Sequence, residues 1–190
     1  AGFPNIYEIA RDFRYEGIDM THNPVFSMVE IYESFSDADK QMVFVEKIFK
    51  TLVKEIKGDS FVVYDGQNID FSKKFAVFSY FELLKEYAGI DAESISKKEL
   101  KTEAEKYGIL VDGGDSVPKL LDGIYKKMCR PKLVQPTFIT DYPVEYLPLA
   151  KRKIENPKFV GAFQLVIGGV ELVKAFSELN DPLDQRARFE

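Results

Sequence analysis

The chain has 190 residues, of which 30% are charged and 45% are apolar, and its formal net charge is −5. This length and balance are typical of one soluble domain, and no apolar run reaches the ~18 residues of a membrane helix. The acidic balance argues against a dedicated nucleic-acid-binding module. A single cysteine, Cys129, excludes an internal disulfide and fits a reducing cytoplasm. Because His22 is the only histidine, a zinc site is not expected.

The first predicted elements are two strands, Ile6 to Arg14 and Val25 to Tyr32, joined by a polar loop. Alternate residues of a strand share a face. One face of the second strand should therefore carry an aromatic ring, a carboxylate and a phenol: Phe26, Glu30 and Tyr32. A face of this kind suits a pocket for a flat ring and a cation. The opposite face is aliphatic and suits a core.

The middle of the chain predicts a long helix, a short hairpin and a mostly helical segment. Ser36 should cap a helix that ends near Lys57, and Asp65-Gly66 should turn a hairpin. Residues 76–130 then form a helical insertion. Its helix starts are marked by two capping boxes and a proline at an early position: Ser79 with Glu82, Ser96 with Glu99, and Pro118.

The last part of the chain predicts strands again. A buried strand is expected at 134–139, and an antiparallel pair at 159–167 and 170–177 turns around two glycines. Asp181 should cap a final helix that begins with Pro182. The fold class predicted by this order is α+β, with an antiparallel sheet that carries both hairpins, flanking helices and the helical insertion.

Three ordered blocks carry the information on function. The first reads Phe-Arg-Tyr-Glu-Gly-Ile at 13–18, His-Asn-Pro-Val-Phe at 22–26 and Met-Val-Glu-Ile-Tyr at 28–32. The second is the stretch 133–153, and the third is Phe-Ser-Glu-Leu-Asn-Asp at 176–181. Together they closely resemble the class II aminoacyl-tRNA synthetases in their lysyl form. The family's third motif, Gly-x-Gly-x-Gly-x-x-Arg, is missing, so residues 1–190 are interpreted as a partial catalytic domain.

The resemblance implies a lysine–tRNA ligase, a cytoplasmic enzyme without membrane attachment and a homodimer when complete. Such an enzyme activates lysine with ATP and Mg²⁺, forms lysyl-adenylate, and transfers lysine to tRNA(Lys). Arg14 is the expected catalytic residue, since a guanidinium binds the α-phosphate and the lysine carboxylate bidentately. The residues expected at ATP are Arg14, Glu16, His22, Phe26 and Glu171. Those expected at lysine are Glu30, Tyr32, Lys174, Phe176 and Glu178. Those expected at Mg²⁺ are Glu171 and Gln164.

Three residues depart from the family pattern, and one of them is Leu147, which stands where the family usually has serine. Lys174 stands where the family usually has asparagine, and Gln164 stands where it usually has glutamate. Hard cations prefer charged oxygen ligands, so Gln164 weakens the metal site. A β-bulge between Glu171 and Lys174 is predicted, because three residues of a regular strand would place the two side chains on opposite faces.

These departures leave two interpretations open. In the first, they are drift in a working ligase. In the second, the chain is a paralog that no longer makes lysyl-adenylate and acts as a binding or regulatory protein. A narrower alternative is a paralog that lysylates a protein instead of tRNA.

Overall fold

The computed structural model describes residues 2–15, 17–18 and 22–190, and the chain divides into two compact units, Ala1–Ser36 and Asp37–Glu190. The first unit is a hairpin of two antiparallel strands, β1 (Asn5–Phe13) and β2 (Val25–Glu33). Both strands agree with the predicted ones to within one residue at each end. The register is regular over its full length, so that the alternation of faces read from the sequence holds.

The second unit contains the remaining strands and the helices. In chain order they are α1 (Ala38–Lys57), β3 (Phe61–Tyr64), β4 (Gln67–Asp70), β5 (Ala76–Ser79), α2 (Tyr80–Ala88), α3 (Lys97–Lys106), α4 (Val117–Ile124), β6 (Thr137–Thr140), β7 (Ala162–Ile167), β8 (Val170–Phe176) and α5 (Pro182–Phe189). A π-helical turn (Tyr125–Cys129) and a 3₁₀ turn (Arg130–Lys132) continue α4, and a second 3₁₀ turn covers Val144–Tyr146. The α+β fold class is confirmed.

The described strands form three sheets, ordered β1-β2, β3-β4 and β5-β6-β7-β8. The expectation that one antiparallel sheet carries both hairpins is therefore wrong in this detail. The pair β5–β6 is parallel, whereas β6–β7 and β7–β8 are antiparallel. The reason is the helical insertion between β5 and β6, which acts as a crossover and returns the chain to the end where β5 began.

The four-stranded sheet is covered by apolar side chains on both faces. Phe163 and Leu165 of β7 belong to a core with residues of α1, and Ala162 and Val166 belong to a core with the helices of the insertion. The rings of Phe138 and Phe163 meet edge to face, with centroids 5.3 Å apart. Because both faces are buried, β7 is nearly continuously apolar. Its one polar residue, Gln164, is therefore conspicuous.

The helix ends follow the sequence signals with one exception. Both capping boxes form, at Ser79 with Glu82 and at Ser96 with Glu99. Helix α1 is capped by Asp37 and not by Ser36, since the Asp37 carboxylate accepts from the backbone N–H of Lys40 at 2.9 Å. Ser36 lies one residue too early to reach that donor.

The insertion is mostly helical as predicted, although it opens with β5. Helix α4 begins after Ser116, whose hydroxyl accepts from the backbone N–H of Lys119. The Cys129 thiol at the end of the π-helical turn is buried and donates to the carbonyl oxygen of Leu83 at 3.4 Å. Within the described residues, no helix is both long enough and apolar enough to cross a bilayer.

Candidate functional site

The hairpin places Arg14 beside an aromatic ring. The backbone N–H of Arg14 donates to the carbonyl oxygen of Pro24 at 2.9 Å, which closes the strand pair at the base of the loop. The Arg14 guanidinium carbon then lies 5.6 Å from the centre of the Phe26 ring. This is the distance of a cation–π contact. The Arg14 guanidinium lies over the face of the Phe26 ring, and this contact does not use the N–H donors that lie in the guanidinium plane.

The same face of the hairpin holds the carboxylate and the phenol that the sequence predicted together. The Tyr32 hydroxyl donates to Glu30 Oε2 at 3.2 Å. Glu30 and Phe26 are half-buried, whereas Val29 and Ile31 of the other face are 55% and 41% exposed. The prediction that the aliphatic face enters a core is wrong for the described structure. Both cores are built from the second unit, and a two-stranded hairpin has no second layer of its own.

Two expected ATP contacts lie at the loop of the hairpin. Glu16 lies outside the described residues, so its role stays a prediction. His22 is exposed just before β2.

A β-bulge in β8 determines which side chains of this strand share a face of the sheet. Gln164 pairs with Lys174 and Leu165 with Val173, but Val166 pairs with Glu171. Leu172 is therefore the extra residue of β8. The predicted bulge between Glu171 and Lys174 is confirmed, and its effect is that both side chains face the same side of the sheet.

Glu171, Lys174 and Gln164 line one cavity of about 180 Å³ between β7, β8 and the insertion. Tyr142 and Tyr125 form its apolar wall, and Asp122 and Lys126 of the insertion stand at its edge. The Tyr142 hydroxyl donates to Gln164 Oε1 at 2.7 Å. Lys126 Nζ lies 2.8 Å from the Asp122 carboxylate.

The surroundings of Glu171 disfavour its charged form, although the residue keeps contact with solvent. Desolvation raises the pKa of the Glu171 carboxyl, and the nearby Lys174 ammonium is the largest influence that opposes this rise. Burial also raises the pKa of Tyr142 and of Tyr125, so both phenols stay neutral at physiological pH.

Phe176 and Glu178 complete the third sequence block. Phe176 is half-buried and packs against the core of the insertion, on the same side of the sheet as Lys174. Glu178 follows the end of β8, where its backbone forms an antiparallel bridge with Ala150. It is exposed and does not line the cavity of Glu171. Its convergence with Glu30 on one pocket stays a prediction.

The sequence interpretation missed the walls of the cavity. Asp122 and Tyr125 lie in a helical stretch, where charged and apolar residues alternate as on any amphipathic helix. Tyr142 was part of the second block but had no assigned role. The available signal was the polar Gln164 within an apolar strand, because such a residue needs a hydrogen-bonding partner.

Comparison with known proteins agrees with these blocks. The family model for class II tRNA synthetases of the D, K and N type matches residues 1–190. The chain belongs to this class II family. The match includes the hairpin with Arg14 and the third sequence block at 176–181.

The relatives of the chain within the family are named as ligases. Lysine–tRNA ligase of Porphyromonas gingivalis is 39% identical over 189 residues, which are 100% of this chain and 33% of that protein. Lysine–tRNA ligase of Dehalococcoides mccartyi is 41% identical over 189 residues, which are 99% of this chain and 38% of that protein. The chain thus spans about a third to two fifths of the length of the curated relatives it matches.

Proposed function

We propose that the chain is part of a lysine–tRNA ligase, which activates lysine with ATP and transfers it to tRNA(Lys). The observation that carries this proposal is the hairpin, on which Arg14 contacts Phe26 and Tyr32 donates to Glu30. The names of the relatives support it. They offer no support for the alternatives of a regulatory or a protein-lysylating paralog.

In the proposed reaction, a carboxylate oxygen of lysine attacks the α-phosphorus of ATP and pyrophosphate leaves. Arg14 holds the α-phosphate and the attacking carboxylate together, so that its charge offsets the charge that builds up at phosphorus. Phe26 stacks on the adenine ring, and Glu16 accepts from the adenine amino group. His22 lies near the outer phosphates. A ribose hydroxyl at the 3′ end of tRNA then attacks the lysyl carbonyl, and AMP leaves.

The proposed lysine contacts use the charge and shape of the substrate. Glu30, Tyr32 and Glu178 are proposed to hold the ε-ammonium, because a buried ammonium without acceptors is costly. Phe176 lines the aliphatic stem of lysine. The hydrogen bond from Tyr32 to Glu30 fixes one of these acceptors before the substrate arrives.

Mg²⁺ accompanies ATP in the proposed reaction, but the cavity of Glu171 is a poor magnesium site. Its lining offers the Glu171 carboxylate, the Asp122 carboxylate that already pairs with Lys126, an amide oxygen that already accepts from Tyr142, and the Lys174 ammonium. Magnesium in proteins is bound by carboxylates together with water and phosphate oxygens. Among the described residues, no group of three or more His, Cys, Asp or Glu side chains is placed to hold a metal ion. No step of the reaction is therefore assigned to a cation held by this cavity.

The cellular setting is also part of the proposal. We propose that the reaction takes place in the cytoplasm, where the Cys129 thiol would also stay reduced. The complete protein is proposed to be a homodimer, which light scattering of that protein would test.

The test of the proposed function is lysine-dependent ATP–pyrophosphate exchange by the complete protein. Arg14→Ala should lower the exchange rate by about 10²–10³, as expected for the loss of one preorganised charge. Arg11→Ala is the matched control, because Arg11 lies on β1 three residues before Arg14, pairs with Ser27 on the opposite face and is exposed. Unchanged exchange in Arg14→Ala would refute the proposed role of Arg14. Absence of exchange in the parent protein would refute the proposed function.

A further inference from the structure

Two of the three residues that depart from the family pattern are direct partners in the sheet. Gln164 of β7 and Lys174 of β8 lie opposite each other in the register, and both line the cavity of Glu171. Side chains of opposed residues on adjacent strands are close enough to interact. Gln164 and Lys174 therefore alter the same part of the cavity lining.

The charges of the cavity balance without a metal ion. Four charged side chains among its described lining residues are Asp122, Lys126, Glu171 and Lys174. Asp122 and Lys126 form an ion pair with each other. Glu171 and Lys174 remain, and their charges cancel.

The family pattern would give the same cavity a different charge. With glutamate at position 164 and asparagine at position 174, the Asp122–Lys126 pair would still cancel, and two negative charges would remain. The two departures together remove those two charges, which equal the charge of one divalent cation. The oxygen that remains at position 164 is an amide oxygen, and the Tyr142 hydroxyl already donates to it.

The bulge in β8 determines that the Lys174 ammonium shares a face of the sheet with the Glu171 carboxylate. Because Leu172 is the extra residue, Glu171 and Lys174 face the same cavity although they are three residues apart. In a regular strand the carboxylate would face the opposite side of the sheet, away from Lys174. The local backbone therefore brings a carboxylate and an ammonium to the position where the family pattern places two carboxylates.

We propose that the Lys174 ammonium is the resident cation of this cavity and takes the place of a divalent metal ion. The ligand class that it serves is the polyphosphate end of a nucleoside triphosphate, and this part of the proposal rests on the proposed function. The cation assignment itself depends only on residues of the second unit.

Manganese binding by the 190-residue chain tests the assignment. Mn²⁺ is the probe, and its free concentration is followed by electron paramagnetic resonance during titration. The parent chain should bind Mn²⁺ no more tightly than Glu171→Gln, because surface carboxylates then account for all binding. The double variant Gln164→Glu/Lys174→Asn should gain a site at least about tenfold tighter, since two unit charges change within a few ångströms of the ion. The added substitution Glu171→Gln should abolish that gain.

Lys174→Met keeps the test decisive if the double variant does not fold, which circular dichroism would show. This variant removes the ammonium without adding a ligand, and it should bind Mn²⁺ more tightly than the parent chain. A parent chain whose Mn²⁺ binding is as tight as that of the double variant, and is lost in Glu171→Gln, would overturn the proposal. So would a Lys174→Met variant that binds Mn²⁺ no better than the parent.

Failure of this proposal and failure of the proposed function give different results. A Glu171-dependent Mn²⁺ site in the parent refutes the cation assignment and leaves the ligase activity intact. Absence of lysine-dependent pyrophosphate exchange in the complete protein refutes the ligase and leaves the Mn²⁺ result unchanged. If both proposals hold, raising free Mg²⁺ above the ATP concentration should stimulate exchange in the double variant more than in the parent.

Discussion

Arg188 binds Asp184 one turn earlier on α5 and also binds the chain outside the helix. Its Nε donates to Asp184 Oδ1 at 3.1 Å, and its Nη1 donates to the carbonyl oxygen of Ala150 at 2.7 Å. Arg152 contributes a second guanidinium to Asp184, with Nε 3.3 Å from Oδ2. The last helix is thus attached to the segment before β7 both by the Asp184 carboxylate, through Arg152, and by the direct hydrogen bond from Arg188 to Ala150.

This contact predicts a pH-dependent effect of Asp184→Asn on thermal stability. Hydrogen bonds from Arg188 and then Arg152 lower the pKa of Asp184 to about 2. A carboxyl with a lowered folded-state pKa stabilises the fold above its unfolded pKa of about 4, and this contribution is lost as the pH falls toward 2. The Tm of Asp184→Asn should therefore lie below that of the parent at pH 7, and the difference should shrink below pH 4.

Thermal unfolding followed by circular dichroism measures this difference. Glu190→Gln is the control, because Glu190 is an exposed carboxylate on the same helix, 3.8 Å from Arg186. Its effect on Tm should be small at every pH. An Asp184→Asn deficit of equal size at pH 7 and pH 3 would contradict the assigned role of the charge.

Gly168 is predicted to resist substitution. Its φ is +59°, and a Cβ atom there would lie 2.8 Å from the Tyr64 ring. Gly168→Ala should destabilise the chain by about 1–3 kcal/mol in urea unfolding, from backbone strain together with overpacking. Gly113→Ala should have little effect, because its added Cβ meets nothing within 4 Å. Adding Tyr64→Ala to Gly168→Ala should recover the part of the loss that comes from the ring; no recovery would place the whole cost in the backbone.

The Cys129 thiol should be unreactive while the chain is folded. It is fully buried, its thiol donates to the carbonyl oxygen of Leu83, and burial raises its pKa to about 12. The thiolate is the reactive form, so its population at pH 8 is very small. Labelling with a disulfide reagent should be slow in native buffer and should accelerate with urea in parallel with unfolding. Complete labelling within the mixing time in native buffer would show that the π-helical turn opens on its own.

The hydrogen bond between Tyr32 and Glu30 predicts a kinetic effect in the complete protein. If these residues bind the substrate ammonium, Tyr32→Phe should raise the KM for lysine by up to about tenfold, since one hydrogen bond is worth about 1 kcal/mol. Tyr7→Phe is the control: Tyr7 pairs with Ile31 on the opposite face of the hairpin and is 74% exposed. Equal KM values for the two variants would remove Tyr32 from the lysine site.

Local signals in the sequence predicted much of this fold. The capping boxes and the alternating faces of the hairpin strands depend on neighbouring residues, and each is found as predicted. The bulge in β8 is inferred from the family roles of Glu171 and Lys174, and it is found as well. The features that the sequence did not predict depend on residues that lie far apart in the chain. The parallel pairing of β5 with β6 depends on how the insertion folds, and the role of Tyr142 depends on a polar residue 22 positions away. The family blocks predicted Glu171 and Gln164, but only the fold shows that Asp122 stands beside them.

The bulge has a consequence for how β8 tolerates changes in length. Leu172 is 51% exposed and has no partner in the register, so its deletion would let Val173 follow Glu171 directly while each residue keeps the face of the sheet that it has now. Deleting Ala175 instead would reverse the sidedness of the residues on one side of the gap, because Ala175 lies in the regular part of the strand. A single-residue gap is therefore structurally silent at the bulge and disruptive at Ala175. Related chains that differ in length by one residue in this strand should be aligned with the gap at the bulge.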